Sequence, residues 1–331
     1  MTKVFVSPSA TKKDRYSNPY FKRLKEGLSS FCEVLDANNR PRKAQSLALL
    51  GSSFKADVFL LSFIEGVAFQ KLPMVQTFLS LLSLSIIRLR KKTMVFFYHN
   101  PVAHKGDNWM SRLLFKSLFS HADYVVAHSE NTALIAQEKV GKDKTILFPH
   151  PTEPLCAAAP AKEKTDVFIW GTIFPYKGIY EFISSPEVQS SSLRILIIGG
   201  CPDPVLADKI QSCTNEHIVF EKRRAEMEEI AAQIAASRYV LFPYFPESIS
   251  GSAALMDTLK FGGNVVGPDA GAFKDISKDN LSKVYHNTSE LMDILSSEWH
   301  VDMESLSRYL NAHLWPVFIR TLRNRIPELN G

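Results

Sequence analysis

Short runs of β-branched and aromatic residues recur along the chain, separated by segments long enough for a helix. In the first half the runs are Lys3–Ser7, Glu33–Asp36, Asp57–Ser62, Thr93–Tyr98, Tyr124–His128 and Thr145–Phe148. Most are continuously apolar rather than alternating, which predicts strands covered on both faces, as in parallel sheets. Between them, Pro19–Ser30, Pro73–Arg90, Trp109–Ser120 and Asn131–Lys139 read as helices. In the second half Asp166–Trp170, Leu193–Ile198, His217–Phe220, Tyr239–Phe242, Asn264–Val266 and Lys283–Tyr285 read as strands. Gly178–Ser184, Ala225–Ser237, Ser252–Phe261 and Ser289–Trp299 read as helices, with Met227, Ile230, Ala231 and Ile234 spaced to line one helical face. Strand–helix alternation in both halves predicts an α/β protein of two doubly wound domains.

The stretch from Pro149 to Thr165 breaks the rhythm with four prolines and small residues. The expected organisation is a first domain over 1–150, a linker over 151–165 and a second domain over 166–304. A helical tail over 305–331 follows, interrupted by Pro316 and able to cross back to the first domain. Two hinged domains predict a cleft, with ligands beyond the carboxyl ends of the strands.

The 331 residues suit two domains, and 45% apolar with 22% charged residues excludes a disordered or fibrous chain. Cys32, Cys156, Cys201 and Cys213 show neither a disulfide framework nor C-x-x-C spacing, so neither a zinc site nor any other metal cluster is expected. The first residues enter a strand without an apolar signal core, which predicts a cytoplasmic protein. The net charge of +5 hides an asymmetry: residues 1–150 hold 22 Lys and Arg against 11 Asp and Glu, residues 151–331 hold 17 against 23. Without a nucleic-acid motif, the basic half suggests an anionic membrane surface or simply a solvated face. The uncharged run Leu72–Ile87 is 16 residues long, short of the roughly 20 that span a bilayer. It reads first as a core helix packed on a sheet, with Gln76, Ser80 and Ser83 on one face. Its second reading is an apolar patch collared by Arg88, Arg90, Lys91 and Lys92 that docks peripherally on anionic lipid.

Four loops after strands carry candidate chemistry. Gly171-Thr172-Ile173-Phe174-Pro175-Tyr176-Lys177-Gly178 puts a lysine beside a helix start, a good phosphate ligand, although the P-loop pattern is absent. After Tyr239–Phe242, Ser250-Gly251-Ser252 enters an Ala-rich helix with N–H groups and hydroxyls to offer an anion. Ser250 or Ser252 also suits an ordinary N-cap. Asp257 lies a turn into that helix, where a carboxylate can take both ribose hydroxyls.

In this order Gly171, Lys177-Gly178, Ser250-Gly251-Ser252, Asp257, Phe261-Gly262 and Val265-Val266-Gly267-Pro268 resemble the donor half of GT-B-fold glycosyltransferases. The likeness is to the large retaining group, glycosyltransferase family 4, which includes sucrose synthase and bacterial polysaccharide transferases. It covers roughly residues 165–275. It implies two Rossmann-like domains facing across a cleft, a nucleotide-sugar substrate and no cofactor. It assigns Lys177 to the diphosphate, Gly171, Thr172, Ser250, Gly251 and Ser252 to phosphate or sugar, and Asp257 to ribose. The chain departs from the family in having Thr172 where an arginine is usual and Ile249 where a glutamate is usual. Arg223 or Arg224, and Glu247 two residues away, are the nearest replacements.

The remaining two loops lie in the first half. His99-Asn100-Pro101-Val102-Ala103-His104 resembles the family's His-Asn…His loop, which implies that His99 and His104 face the donor sugar. Alternatively they cap backbone groups. Asn18-Pro19-Tyr20 resembles the entry to the first helix, on the acceptor side. Asn18 also reads as a plain N-cap with Pro19 in the first turn. The expected function is transfer of a sugar, a metal-independent hexosyl transfer, from a nucleotide-diphosphate sugar to a glycan or lipid-linked acceptor in surface polysaccharide synthesis. The alternatives are a GT-B-fold partner of another transferase with impaired catalysis and a nucleotide-sugar epimerase.

Overall fold

The computed structural model describes residues 1–8, 18–35, 45–99, 106–158 and 162–330. The chain divides into two compact units, one of Met1–Pro149 with Trp315–Gly331, the other of His150–Leu314.

In the first unit, strands β1 (Lys3–Ser7), β2 (Glu33–Leu35), β3 (Val58–Leu61), β4 (Thr93–Tyr98), β5 (Tyr124–Ala127) and β6 (Thr145–Leu147) form one parallel sheet in the order β2-β1-β3-β4-β5-β6. Helices α1 (Pro19–Leu28), α2 (Gln45–Ser52), α3 (Pro73–Leu89), α4 (Trp109–His121) and α5 (Glu130–Val140) connect them. Successive strand residues feed opposite layers. Phe5, Phe59 and Phe96 pack with Leu49 of α2, Leu84 of α3 and Leu114 of α4. Val4, Val58 and Phe97 pack with Leu24 of α1 and with the chain's last helix. Both sheet faces are therefore dry, which is why the strands read as unbroken apolar runs.

In the second unit, β7 (Thr165–Trp170), β8 (Ile195–Ile198), β9 (Ile218–Glu221), β10 (Ser237–Leu241), β11 (Val265–Pro268) and β12 (Ser282–Tyr285) are ordered β12-β11-β10-β7-β8-β9, again all parallel. The helices are α6 (Ile179–Ile183), α7 (Pro186–Gln189), α8 (Pro204–Ser212), α9 (Met227–Ala235), α10 (Ala253–Lys260), α11 (Gly271–Ser277), α12 (Thr288–Ser296) and α13 (Met303–Ala312). Counted from β7, the strand order is 3-2-1-4-5-6, the dinucleotide-binding order. Its topological switch lies between β7 and β10.

All twelve strands fall where the apolar runs place them. Helices α2, α7, α8 and α11 were not expected. The last helix, α14 (Trp315–Arg325), belongs to the first unit, where Phe318 and Leu322 are fully buried. The expected interruption of the helical tail falls at His313–Leu314, between α13 and α14, and Pro316 lies in the first turn of the second helix, where a missing N–H costs nothing. A Cβ on Gly27 of α1 would lie 2.6 Å from Ile319 Cγ1, so α1 and α14 pack at glycine distance. The proline-rich stretch is tied down: Thr152 N–H donates to the His313 carbonyl (3.0 Å) and Cys156 N–H to the Lys260 carbonyl (2.8 Å). Among the described residues no helix is long and apolar enough to cross a membrane.

One buried charge stands out. Glu65, in a 3-10 turn at Ile64–Phe69 after β3, is 7% exposed, and its Oε2 has no hydrogen-bond partner among the described residues. Desolvation raises its pKa from 4.5 to about 7. The folded state thus holds a proton that the unfolded state releases, and stability falls as pH rises from 4.5 through 7. Glu65→Gln should remove that slope and leave the protein more stable by about 3 kcal/mol at pH 8. Urea unfolding of both proteins at pH 5 and pH 8 checks this, and parallel pH dependences would rule it out.

Candidate functional site

The loops at the switch point are held together by backbone approaches that exclude side chains. After β7, Gly171 takes φ +100° and its N–H donates to the Ile198 carbonyl at the end of β8 (3.1 Å). A Cβ on Gly199 would lie 2.1 Å from the Gly171 carbonyl oxygen, so the loops after β7 and β8 touch main chain to main chain. Pro175–Lys177 forms a 3-10 turn that ends on Gly178 at φ +59°. There a Cβ would fall 2.1 Å from the Pro243 carbonyl oxygen in the loop after β10. The same two loops are stitched by Phe245 N–H to the Tyr176 carbonyl (3.1 Å) and by the Ser248 hydroxyl to that carbonyl (3.4 Å).

This stitching buries Lys177, which is 8% exposed. Its Nζ lies 5.1 Å from the centre of the Tyr244 ring, and a Cβ added at Gly171 would come to 3.5 Å from it. It pairs with no carboxylate among the described residues. Desolvation accordingly pushes its pKa below the ordinary 10.5, and the nearby Tyr176 phenol opposes this weakly.

Tyr244 links the lysine to the hydroxyl-rich turn. Its ring faces the ammonium, its hydroxyl lies toward the Ser252 side chain, and burial drives its pKa far up. Ser252 caps α10, its Oγ accepting from Leu255 N–H at 3.1 Å. Ser250 is fully buried and its carbonyl accepts from Ala272 N–H (2.8 Å). Gly251 between them is half-buried. Asp257 is half-exposed one turn into α10 and meets Lys260 Nζ at 3.1 Å. The helix itself is fixed to β7 by Trp170 Nε1 donating to Thr258 Oγ1 (3.0 Å).

The other candidates lie apart from this group. Thr172 is exposed in the loop after β7, and Glu247 is exposed on a 3-10 turn while Ile249 beside it is buried. Arg223, after β9, is held by Glu221 and Glu229, which raise its pKa. In the first unit, His99 ends β4 and stacks on Phe63 with ring centres 4.7 Å apart, its Nε2 3.4 Å from Ser62 Oγ. Asn18 caps α1, accepting from Tyr20 N–H at 3.0 Å. The buried Tyr20 hydroxyl meets His128 Nε2 at 2.9 Å, while His128 Nδ1 donates to the Phe148 carbonyl (2.8 Å). That pairing fixes the tautomer: Nδ1 carries the proton and Nε2 accepts from tyrosine. His104 lies outside the described residues. Among the described residues no group of three His, Cys, Asp or Glu could hold a metal ion.

Sequence reading gave Tyr244 no role, although Pro243-Tyr244-Phe245-Pro246 puts an aromatic pair at a strand end. His128, in a His128-Ser129-Glu130-Asn131 run that echoes the family's strand-and-helix pattern, reads in sequence as mostly structural.

No family model and no curated protein sequence matches the chain. Solved structures do match. AviGT4, a glycosyltransferase involved in avilamycin A biosynthesis, is 16% identical over 100% of this chain and 99% of its own, with a TM-score of 0.60. Anabaena Alr3699/HepE in complex with UDP-glucose is 12% identical over 100% and 97%, at 0.62. Sucrose-phosphate synthase from Thermosynechococcus elongatus is 14% identical over 100% and 95%, at 0.63. Likeness at this level of identity defines the fold: the chain has the GT-B glycosyltransferase architecture, two Rossmann-like α/β domains.

The Gly178 contact yields a direct test. Gly178→Ala forces a Cβ against the Pro243 carbonyl in a left-handed backbone and should lower the melting temperature by several degrees, about 2 kcal/mol or more. Gly200→Ala, whose Cβ would meet nothing within 4 Å, should leave it unchanged. Equal melting curves for both variants would contradict the close approach.

Proposed function

We propose that the chain is a glycosyltransferase whose second unit binds the diphosphate of a nucleotide sugar at the β7–β10 switch point. The observation that carries this is Lys177: a buried ammonium without a carboxylate partner among the described residues, beside a hydroxyl-rich helix start. A cation removed from water is costly unless an anion meets it. Two phosphates set between Lys177 and the first turn of α10 would satisfy both the ammonium and the N–H groups there. Negative charge grows on that diphosphate as the glycosidic bond breaks, so the same contacts act most strongly on the transition state. Asp257, one turn into α10, would take the ribose hydroxyls. The HepE structure, solved with UDP-glucose, supports a nucleotide-sugar donor for this fold. The acceptor is a glycan or lipid-linked sugar, and surface polysaccharide synthesis is the setting we favour. Hexosyl transfer without a metal ion agrees with an ammonium as the diphosphate's counter-charge.

One observation favours a second reading. Thr172 replaces the family's arginine, and Arg223 is already engaged by Glu221 and Glu229. A nucleotide-binding partner of an active transferase would show this loss. Release of free nucleotide only when an acceptor is present marks the transferase. Binding without turnover marks the partner, and donor isomerisation without an acceptor marks an epimerase.

Two readouts test the lysine. Lys177→Met removes an uncompensated buried charge, so the free protein should melt higher while calorimetric affinity for UDP, GDP, ADP or dTDP falls at least about tenfold. In the unchanged protein, nucleotide affinity should fall as pH rises through the lowered lysine pKa, because only the ammonium attracts the diphosphate. The variant should lack that dependence. Unaltered affinity in Lys177→Met would remove the lysine from the site.

A further inference from the structure

In the helical layer over one face of the first unit's sheet, α3 turns polar residues inward beside its core leucine and isoleucine and leaves a stripe of large apolar residues outward. Toward its neighbours α3 buries Gln76, Thr77, Ser80 and Ser83 along with Leu84 and Ile87. Most of these polar groups are hydrogen-bonded: Ser46 Oγ of α2 donates to Gln76 Oε1 (3.3 Å), Ser80 Oγ to Ser46 Oγ (3.2 Å), Gln76 Nε2 to the Lys71 carbonyl (2.7 Å) and Ser83 Oγ to the Leu79 carbonyl (2.6 Å), while Thr77 Oγ1 has no partner among the described residues. Several of the helix's large apolar residues face outward. Met74, Val75, Phe78 and Leu82 form one stripe at i, i+1, i+4 and i+8, with Met74 68% and Phe78 64% exposed. Leu72 and Leu89 extend it at both ends, and Phe54 beyond α2 and Trp109 and Leu113 on α4 are exposed on the adjoining elements. A helix packed on a core normally presents the opposite face, and a broad exposed apolar surface marks an interaction site.

The charge around the stripe selects the partner. Arg88, Arg90 and Lys91 close the carboxyl end of α3, Lys71 precedes its start and Lys55 follows Phe54. Asp57 is neutralised by Lys92 at 2.7 Å and Asp107 by Arg112 at 2.6 Å, while Arg88, still largely exposed, lies 3.9 Å from Asp123. The unit as a whole holds 25 Lys and Arg against 12 Asp and Glu. A second copy would set one basic collar against another. An anionic bilayer supplies both an apolar interior for the stripe and negative head groups for the collar.

We propose that this face of the first unit rests on an anionic lipid bilayer, with α3 lying in the interface plane. Phe78, Met74 and Leu82 enter the acyl boundary, while Lys71, Arg88 and Lys91 meet the head groups. The surface is separate from the nucleotide site, so its failure would leave the donor reading untouched. The test is flotation of the full chain with phosphatidylcholine vesicles, with and without about 30% phosphatidylglycerol. Binding should require the anionic lipid and weaken with salt. Phe78→Gln with Leu82→Gln, both already solvent-facing, should reduce binding at least about tenfold, and Arg88→Ala with Lys91→Ala by about fivefold per charge, with unchanged melting temperatures. The proposal is overturned if the wild-type chain does not float with anionic vesicles, or if the glutamine variant floats equally well. A wild-type dimer in light scattering that the glutamine variant dissolves would also overturn it, by assigning the face to a second copy.

Discussion

A largely buried ammonium, Lys177, with no carboxylate partner among the described residues is the constraint around which the loops of the second unit are organised. Tyr244 offers its ring face, worth about 2 kcal/mol when desolvated, against a desolvation cost of several. The deficit persists because the surrounding backbone has no freedom to release the side chain. Gly178 sits under the Pro243 carbonyl, Gly199 under that of Gly171, and Tyr176 is laced to the opposite loop. The fold therefore holds this side chain at an energetic cost, an arrangement met more often at binding sites than in cores.

The strands were legible because both faces of each sheet are covered, leaving no polar alternation to confuse the reading. Helices α7 and α11 were not: they have 4 and 7 residues, too few to establish a period. α8 opens on Asp203 and Pro204, a capped start that the sequence shows openly but whose short apolar pattern is weak. For α3, hydrophobicity indicated a core helix and is misleading about orientation. Its inward stripe mixes Leu84 and Ile87 with Gln76, Thr77, Ser80 and Ser83, and no single-chain pattern states which stripe turns inward when both are available.

The site was partly legible for a different reason. Lysine-glycine and serine-glycine-serine after strand ends are marks of anion handling because glycine permits main-chain approach and short hydroxyls cap helices. Which cations remain available is a three-dimensional matter. Arg223 was a natural candidate in sequence, yet Glu221 and Glu229 flank it at spacings that a strand end and the next helix bring together. Tyr244 escaped because an aromatic after a strand is ordinarily core. Its role follows only from having the ammonium on one side and Ser252 on the other.

The return of α14 to the first unit has a consequence for biosynthesis. Phe318 and Leu322 complete a core whose other members lie before Phe148, and the 165 residues of His150–Leu314 are made in between. At a synthesis rate of roughly 5–20 residues per second, the amino-terminal sheet emerges from the ribosome and waits on the order of ten seconds or more for its final helix. During that interval α1 lies on that face but the part that α14 covers stays open, so a nascent chain of this design exposes apolar strand residues throughout the synthesis of its second unit.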